Sequence, residues 1–556
     1  MSRLTFAGLV RSFRSIQRLF DSFSIGEQQR ILAQLSEMSC GTVTAVTMYH
    51  EALLYSAAYP GSENVREQCE AELARVAHHV ATRKGLERRR YENSGIAGAI
   101  VVAPLSLSLN KWLVHRYPSE TQLSSVSVNE KVLVQTLGHL FDPVEQEMLH
   151  AGKTAWKYWS EHMSGQGRDP HRMKRWIVEM ADRLPGSTSL KEFVFGQFET
   201  TTVWSTSADA PSLTSGRAAY GAPYIHEKGL ERVVDLSARI GVKPKRVELT
   251  PSQQEDLVDL ARGVLVTLNR ETDPVTHANT RETEYYDMGR GLGIALYAMQ
   301  PDMKMSLQSY IGFLVMKNHV PCAYGGGWIL NKESFFGVNV LPPFRGGESA
   351  MIVADLLRLY HHAFNATAFS VDPYQIGHGN PDGIKSRSFW FYYRLGFRPV
   401  ERDLAKCARE EFRKMKTESG YHSPVATLQL LSGATMRWVT DDENHEIPLT
   451  ADRLGDLVTS YVNSTYEGDR QLALLESLRL LNARTGRRYA KTHAITRIVV
   501  LLHACGYLTT STKARLRKFV EDYTMKYESE RAYVALSQKH QALFARTLIT
   551  YLSAEI

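Results

Sequence analysis

The sequence has little that would place the protein in a membrane, in a disulfide-linked scaffold or among dedicated nucleic-acid binders. Its longest apolar run, residues 95–107, is interrupted by Pro104 and Ser106 and is shorter than the roughly 20 residues that span a bilayer. The five cysteines are scattered and form no Cys-x-x-Cys pair, as is typical of thiols in a reducing cytosol. The 66 basic and 59 acidic residues leave a net charge of +7, which is small for this length. We therefore expect a cytoplasmic protein without membrane association and without a metal site.

The composition is that of a packed globular chain. Hydrophobic residues make up 43% of the 556 residues and charged residues 22%, close to the averages for such proteins. The length predicts three or four domains, or one core with large helical additions. Residues 1–20 combine arginines with regularly spaced apolar residues and contain no acid. We interpret this segment as the first helix of a domain rather than as a targeting peptide.

The spacing of apolar residues divides the chain into regions. Spacings of three and four predict helices through most of residues 22–184, with one buried strand at 95–108. Residues 203–223 are rich in Ser, Thr, Ala and Gly, which is typical of a linker. Helices are predicted again at 229–240 and at 251–268, where Thr250 would cap the helix and Pro251 would occupy its first position. The region after residue 401 is predicted to be helical.

The central region has a different pattern. Four short aliphatic and aromatic segments, residues 292–299, 309–317, 321–330 and 334–341, are separated by polar turns and predict an antiparallel meander. A helix at 348–362, a strand at 367–371 and a helix at 381–395 should follow, the last ended by Gly396. We predict four domains: residues 1–202, mostly helical; 203–247, a linker and helix; 248–403, the sheet-containing domain; and 404–556, helical.

Two segments of the central domain carry the chemistry. In the first, Val-Asn-Val-Leu-Pro-Pro-Phe-Arg-Gly-Gly-Glu-Ser-Ala at 338–350, a strand runs through a glycine-containing turn into a helix. Such a junction directs backbone N–H groups and the positive end of a helix dipole at one place, which suits a phosphate. The second segment, Ser-Phe-Trp-Phe-Tyr-Tyr-Arg-Leu-Gly-Phe-Arg-Pro at 388–399, follows after one more strand.

Together the two segments resemble the GNAT superfamily of acyl-CoA-dependent N-acyltransferases, over about residues 248–400. The resemblance implies an α+β fold with a mixed, mainly antiparallel sheet and flanking helices, embedded here between helical N- and C-terminal regions. In that family the fourth and fifth strands splay apart, and the pantetheine arm of CoA pairs with the open strand edge. The residues implied to bind acetyl-CoA or another acyl-CoA are Val338 and Val340, through their backbone, and, around the diphosphate, Arg345, Gly346, Gly347, Glu348, Ser349 and Ala350.

The resemblance also implies a catalytic residue, Tyr392, at the position of the tyrosine that protonates the leaving thiolate. Its alternative role is packing within an aromatic stripe. The family often has an asparagine near this tyrosine, whereas the nearest one here is Asn380. Twelve residues of continuous helix would hold Asn380 and Tyr392 about 18 Å apart, so they should not reach the same site unless the helix is interrupted.

Two departures from the family pattern bear on activity. Glu348 replaces a glycine of the phosphate turn, and a carboxylate beside a diphosphate is unfavourable unless its side chain turns away. It is either a helix-start residue or a sign of a decayed site. The predicted fourth strand, residues 334–341, contains no acid that could act as the general base. The general base is therefore unassigned, and the candidates by position are Glu284, Asp287, Glu333, Asp372 and His378.

The predicted function is transfer of an acyl group from CoA to an amine. Two alternatives remain open, an aminoacyl-tRNA-dependent transferase on the same fold and a decayed core that serves as an interaction platform. The resemblance makes a CoA thioester and an amine the partners; the charge balance gives little reason to expect nucleic acid, although the tRNA alternative requires it. The sequence indicates neither the acceptor nor the oligomeric state.

Overall fold

The computed structural model describes residues 5–126, 129–164, 169–440, 449–540, 543, 545–547 and 549–550. It is a mixed α+β structure with one sheet of nine strands and one of three, which confirms the predicted α+β class. The strands in the described part of the chain are β1 (Ile100–Ala103), β2 (Thr121–Val126), β3 (Thr200–Ser205), β4 (Lys245–Val247), β5 (Glu284–Gly289), β6 (Leu292–Tyr297), β7 (Ser309–Lys317), β8 (Val320–Leu330), β9 (Glu333–Val340), β10 (Ala368–Val371), β11 (Arg398–Pro399) and β12 (Met436–Val439).

The helices fall into three groups along the chain. The first precedes the large sheet: α1 (Phe6–Ile16), α2 (Ser22–Ser36), α3 (Val43–Ala58), α4 (Glu63–Ala81), α5 (Gly85–Arg89), α6 (Leu107–Arg116), α7 (Glu130–Gly138), α8 (Pro143–His150), α9 (Trp156–Ser164), α10 (Pro170–Asp182), α11 (Thr188–Gly196) and α12 (Leu236–Ile240). The second accompanies that sheet: α13 (Pro251–Thr267), α14 (Asp273–Thr276), α15 (Ser349–Phe364), α16 (Pro373–Ile376), α17 (Pro381–Ser386) and α18 (Ser388–Arg394). The third follows it: α19 (Arg402–Thr417), α20 (Val425–Leu431), α21 (Ala451–Tyr466), α22 (Arg470–Thr485), α23 (Val499–Ala504), α24 (Tyr507–Thr510), α25 (Lys513–Thr524) and α26 (Glu530–Ser537).

The large sheet has the strand order β11-β12-β10-β9-β8-β7-β6-β5-β4. The predicted meander is confirmed as β6 to β9, each strand antiparallel to the next. Strand β10 pairs with β9 in parallel, because α15 carries the chain back across the sheet between them and a parallel pair requires such a crossover. Helix α13 begins as predicted, with Thr250 as its cap and Pro251 in its first turn.

The sheet extends beyond the predicted central domain on both sides. Strand β12, from the region predicted to be helical, lies between β10 and β11, so a boundary at residue 403 would divide the sheet. Strand β4 joins it before residue 248. Strand β12 has only four residues, and two of them in succession, Trp438 and Val439, are apolar, so the strict alternation that would predict a strand is absent.

The N-terminal region also differs from its prediction in detail. Its small sheet has the order β1-β3-β2, and the predicted linker starts inside β3, where Trp204 is fully buried. Residues 206–235 contain no helix or strand. The strand predicted at 95–108 is reduced to β1, and the helix predicted at 229–240 to α12.

One apolar core joins the N-terminal helices to the large sheet. Phe13 of α1 and Tyr55 of α3 belong to the same buried cluster as Leu314 of β7 and Ile352 of α15. Helices α21 to α26 enclose a second cluster. No helix within the described ranges is long and apolar enough to cross a membrane.

Replacing Met436 by alanine should lower the free energy of unfolding by about 2–5 kcal/mol, because its side chain is fully buried where β12 enters the sheet. The control is Leu430→Ala on α20, whose leucine is 58% exposed and should change stability by no more than about 0.5 kcal/mol. Urea unfolding followed by circular dichroism measures both. Equal losses would contradict the position of β12.

Candidate functional site

Strands β9 and β10 separate after a short stretch of pairing. They are paired only at Glu333–Ala368, Ser334–Phe369 and Phe335–Ser370. On its other side β9 stays paired with β8 up to Val340. The five residues 336–340 of β9 therefore have one edge without a strand partner.

The register identifies the groups at this open edge. The N–H of Leu341 donates to Cys322 of β8, and backbone groups of successive residues point alternately to the two edges of a strand. The N–H and C=O groups of Val338 and Val340 therefore point away from β8, into the opening. The Val340 carbonyl accepts a hydrogen bond from Arg345 Nε at 3.2 Å.

A cavity of about 700 Å³ occupies the opening between the strands. It brings together most of the residues that the sequence singled out. Those that line it are Val338, Val340, Arg345, Gly346, Ser349 and Tyr392. The other three, which do not line it, are Gly347, Glu348 and Ala350.

The N-terminal helices pack directly against the glycine turn. At Gly346, whose φ is +80°, a Cβ atom would lie 3.0 Å from Arg18 Nη1, and at Gly347 it would lie 2.9 Å from the Tyr59 ring. The close approach of Arg18 and Tyr59 thus explains why both positions are glycine. Arg18 Nη2 donates to the Arg345 carbonyl at 3.0 Å, and its guanidinium lies 5.1 Å from the Tyr55 ring centroid.

Part of the turn remains open to a ligand. The Gly347 N–H donates to Phe344 at 3.0 Å, and the Glu348 N–H donates to the Tyr59 hydroxyl at 3.4 Å. In contrast, the N–H groups of Gly346 and Ser349 donate to no group among the described residues. Both residues line the cavity, and Ser349 begins α15, whose dipole is positive at this end.

Glu348 turns away from the cavity into a buried ion cluster. Its carboxylate accepts hydrogen bonds from Lys317 Nζ at 2.7 Å and from Arg290 Nη2 at 3.0 Å, and also from the Glu231 N–H at 2.9 Å. Burial raises the pKa of Glu348, but the charge and hydrogen bond of Lys317, the Glu231 N–H and other neighbours together outweigh burial, so that the pKa lies below the usual 4.5. Burial, then Lys317, lowers the pKa of neighbouring His226 to about 4, which leaves that imidazole neutral at pH 7. The negative charge of Glu348 is therefore compensated by Lys317 and Arg290, on the side of the turn away from the cavity.

Tyr392 is held by aromatic packing and reaches the cavity. Its ring contacts Phe397 and Phe336 at centroid distances of 5.5 and 6.2 Å. The residue is only 3% exposed, and its hydroxyl has no hydrogen-bond partner in the part of the chain that is described. Burial raises the pKa of Tyr392, so the phenol stays protonated well above neutral pH.

The prediction of one continuous helix at 381–395 is wrong. The helix is interrupted at Arg387, which has a left-handed φ of +55° and separates α17 from α18. The chain therefore turns, and Asn380 and Tyr392 line the same cavity, which one continuous helix would not allow. Asn380 does cap α17, accepting from the Gly383 N–H at 3.2 Å.

None of the five candidate bases lines the cavity. Two of them bind arginines elsewhere: Glu284 pairs with Arg531, and Glu333 with Arg437. Among the lining residues the only carboxylate is Asp382, in the first turn of α17. The described residues contain no group of three or more His, Cys, Asp or Glu side chains that could hold a metal ion.

Two contributors to this site were not recognised from the sequence. Arg18 and Tyr59 lie about 290–330 residues before the turn that they contact, and nothing in their local sequence indicates that contact. Comparison of the chain with models of protein families, with curated proteins and with solved structures gives no match.

Replacing Glu348 by alanine should lower the free energy of unfolding by about 3–5 kcal/mol, because it leaves the buried Lys317 without its closest anion. Glu231→Ala is the matched control, since that side chain is 44% exposed and lies 3.4 Å from Arg290; it should cost about 0–1 kcal/mol. Urea unfolding at pH 7 distinguishes the two variants. A loss at Glu348 no larger than that of the control would show that the cluster does not depend on this carboxylate.

Proposed function

We propose that the protein is an acyl-CoA-dependent N-acyltransferase of the GNAT type. The observation that carries the proposal is one cavity that joins an open strand edge, the N-terminus of α15 and the Tyr392 hydroxyl. Among the described residues, the N–H groups of Gly346 and Ser349 and this hydroxyl have no hydrogen-bond partner. An extended ligand with amide groups at one end and a diphosphate at the other matches this order of features. CoA has that chemistry.

The cavity offers each part of CoA a suitable partner. The pantetheine amides would pair with the outward groups of Val338 and with the Val340 N–H, as a peptide adds to an exposed strand edge. The diphosphate would accept from the N–H groups of Gly346 and Ser349 at the start of α15. Arg345, which lines the cavity, adds a guanidinium group beside this position, and such groups favour phosphate oxygens. Arg18 does not line the cavity and holds the turn through the Arg345 carbonyl.

The orientation of Glu348 supports the same proposal. The objection to an acid in this turn is the repulsion between a carboxylate and a diphosphate. Since the carboxylate is buried against Lys317 and Arg290 on the far side of the turn, that repulsion is compensated. The residue then acts as a structural anchor for the start of α15.

The reaction is an aminolysis of a thioester. The uncharged amine nitrogen attacks the thioester carbonyl carbon, so that a C–N bond forms and the C–S bond breaks. The Tyr392 hydroxyl gives its proton to the departing CoA sulfur, and the amine loses a proton to solvent, from which Tyr392 is reprotonated. The high pKa that burial gives Tyr392 keeps the proton available for this step.

Saturating acetyl-CoA should raise the melting temperature, because a ligand at 100 times its Kd stabilises the folded state by about 2.7 kcal/mol. Arg18→Gln should weaken acetyl-CoA binding by about tenfold, because the glycine turn loses the hydrogen bond from Arg18 to the Arg345 carbonyl. Arg14→Gln, four residues earlier in the last turn of α1 and with a side chain 41% exposed, should leave binding unchanged. Isothermal titration calorimetry gives the dissociation constants.

Two results would contradict this interpretation. If millimolar acetyl-CoA neither binds nor shifts the melting temperature, the acyltransferase proposal fails, and the decayed platform or the aminoacyl-tRNA alternative takes its place. If acetyl-CoA binds equally well to the wild type and to Arg18→Gln, CoA is a ligand but the N-terminal helices do not contribute to its site.

Tyr392→Phe should reduce kcat by about 100-fold and leave the Kd for acetyl-CoA unchanged, because it removes a proton donor without removing the ring. The control is Tyr393→Phe, since Tyr393 is also buried but packs against Phe389 and Phe412 and does not line the cavity. Thiol release, followed with a chromogenic disulfide, measures turnover. An equal kcat in both variants would exclude Tyr392 as the proton donor.

A further inference from the structure

The cavity opens on both faces of the large sheet. Phe336 contacts Tyr392, and side chains alternate along a strand, so Val338 and Val340 also face α18. Asn339 points to the opposite face, together with its cross-strand neighbour Tyr324. All four of Val338, Asn339, Val340 and Tyr324 line the cavity, which therefore passes through the opening between β9 and β10.

The opposite face has its own set of lining residues, from elements distant in sequence. Gln375 reaches the open strand there, since its Nε2 lies 3.1 Å from where a Cβ of Gly337 would stand. Leu268 and Arg270 come from the end of α13, and Asn93 from the N-terminal region. The Asn93 side chain makes two 3.0 Å hydrogen bonds with the Val102 backbone, which hold it in the wall.

Arg270 is the charged group of this set. Asn269, at φ +51°, ends α13 in the left-handed conformation, and the Arg270 N–H donates to the Leu265 carbonyl at 2.9 Å, an arrangement that fixes the backbone after a helix. Its side chain is exposed and has no hydrogen bond or ion pair to any residue that the structure describes. Burial raises the pKa of neighbouring Tyr324, and the Arg270 charge opposes that rise.

The other two charged residues that line the cavity lie in different elements. Arg345 lies at the glycine turn and binds the Val340 carbonyl. Asp382 lies in the first turn of α17. Arg270 thus supplies, on the face opposite the tyrosine, an exposed guanidinium that pairs with no residue the structure describes.

We propose that the acyl acceptor is an amine that also carries a carboxylate, as in an amino acid or a peptide, and that Arg270 binds this carboxylate. This inference rests on the proposed function. A guanidinium binds a carboxylate through two parallel N–H···O bonds, which would direct the amino group through the opening toward the thioester. The acceptor thereby approaches from one face and the thioester from the other.

The experiment offers acetyl-CoA with two pools of acceptors and detects acetylated products by mass spectrometry. One pool contains the free amino acids and a set of dipeptides; the other contains the same compounds as C-terminal amides, in which the carboxylate is absent. We expect products from the first pool, with kcat/KM about 10- to 100-fold above that of the matched amide.

Arg270→Gln should abolish this difference by raising KM for the carboxylate-bearing acceptor while kcat and the Kd for acetyl-CoA stay unchanged. Arg270→Lys should recover part of the preference, because it keeps the charge and loses the two-bond geometry. Arg281→Gln, at an exposed arginine outside the cavity, is the control and should retain the full preference.

Several outcomes would overturn the inference. Products from amides alone, equal use of both pools, or no product from the carboxylate pool by a protein that binds acetyl-CoA would each exclude a carboxylate-bearing acceptor. A weaker Kd for acetyl-CoA in Arg270→Gln would assign the arginine to the 3′-phosphate of CoA instead. Absence of acetyl-CoA binding in the wild type is a separate result, since it removes the proposed function itself.

Discussion

The separation of β9 from β10 after three residue pairs is the constraint on which the candidate site depends. A strand edge in the middle of a sheet normally has all its N–H and C=O groups paired, because leaving them unpaired inside a protein is costly. Here the edge from 336 to 340 borders a cavity of about 700 Å³. The same opening admits side chains from both faces of the sheet, which is why one cavity can collect residues from four distant parts of the chain.

The glycine turn shows how one segment can satisfy packing and binding together. Gly346 and Gly347 lack side chains where Arg18 and Tyr59 approach, so close contact with the N-terminal helices suffices to explain both glycines. The N–H groups of Gly346 and Ser349, before and at the start of α15, nevertheless donate to no residue that the structure describes. The N-terminal helices are therefore part of the wall behind this turn, and they share one apolar core with the sheet.

A buried ion cluster holds the same turn on the side away from the cavity. Lys317, Arg290 and Glu348 meet there from β7, from the turn after β5 and from the start of α15. Buried ion pairs add little net stability when intact, but they are costly to break. Such a cluster fixes the position of the α15 N-terminus, and it removes the negative charge that the sequence alone would place beside a bound anion.

Local sequence was sufficient for the elements whose signals lie within a few residues of each other. The strands β6 to β9 alternate with polar turns, and α13 begins with a threonine cap and a proline, so both could be predicted from short windows. The segments at 338–350 and 388–399 likewise contributed half of the residues that line the cavity. Four features were decided by the tertiary structure: the break of the helix at Arg387, the insertion of β12 into the sheet, the burial of Glu348 against Lys317, and the approach of Arg18 to the turn. No local pattern encodes these, because each depends on which surfaces the folded chain brings together.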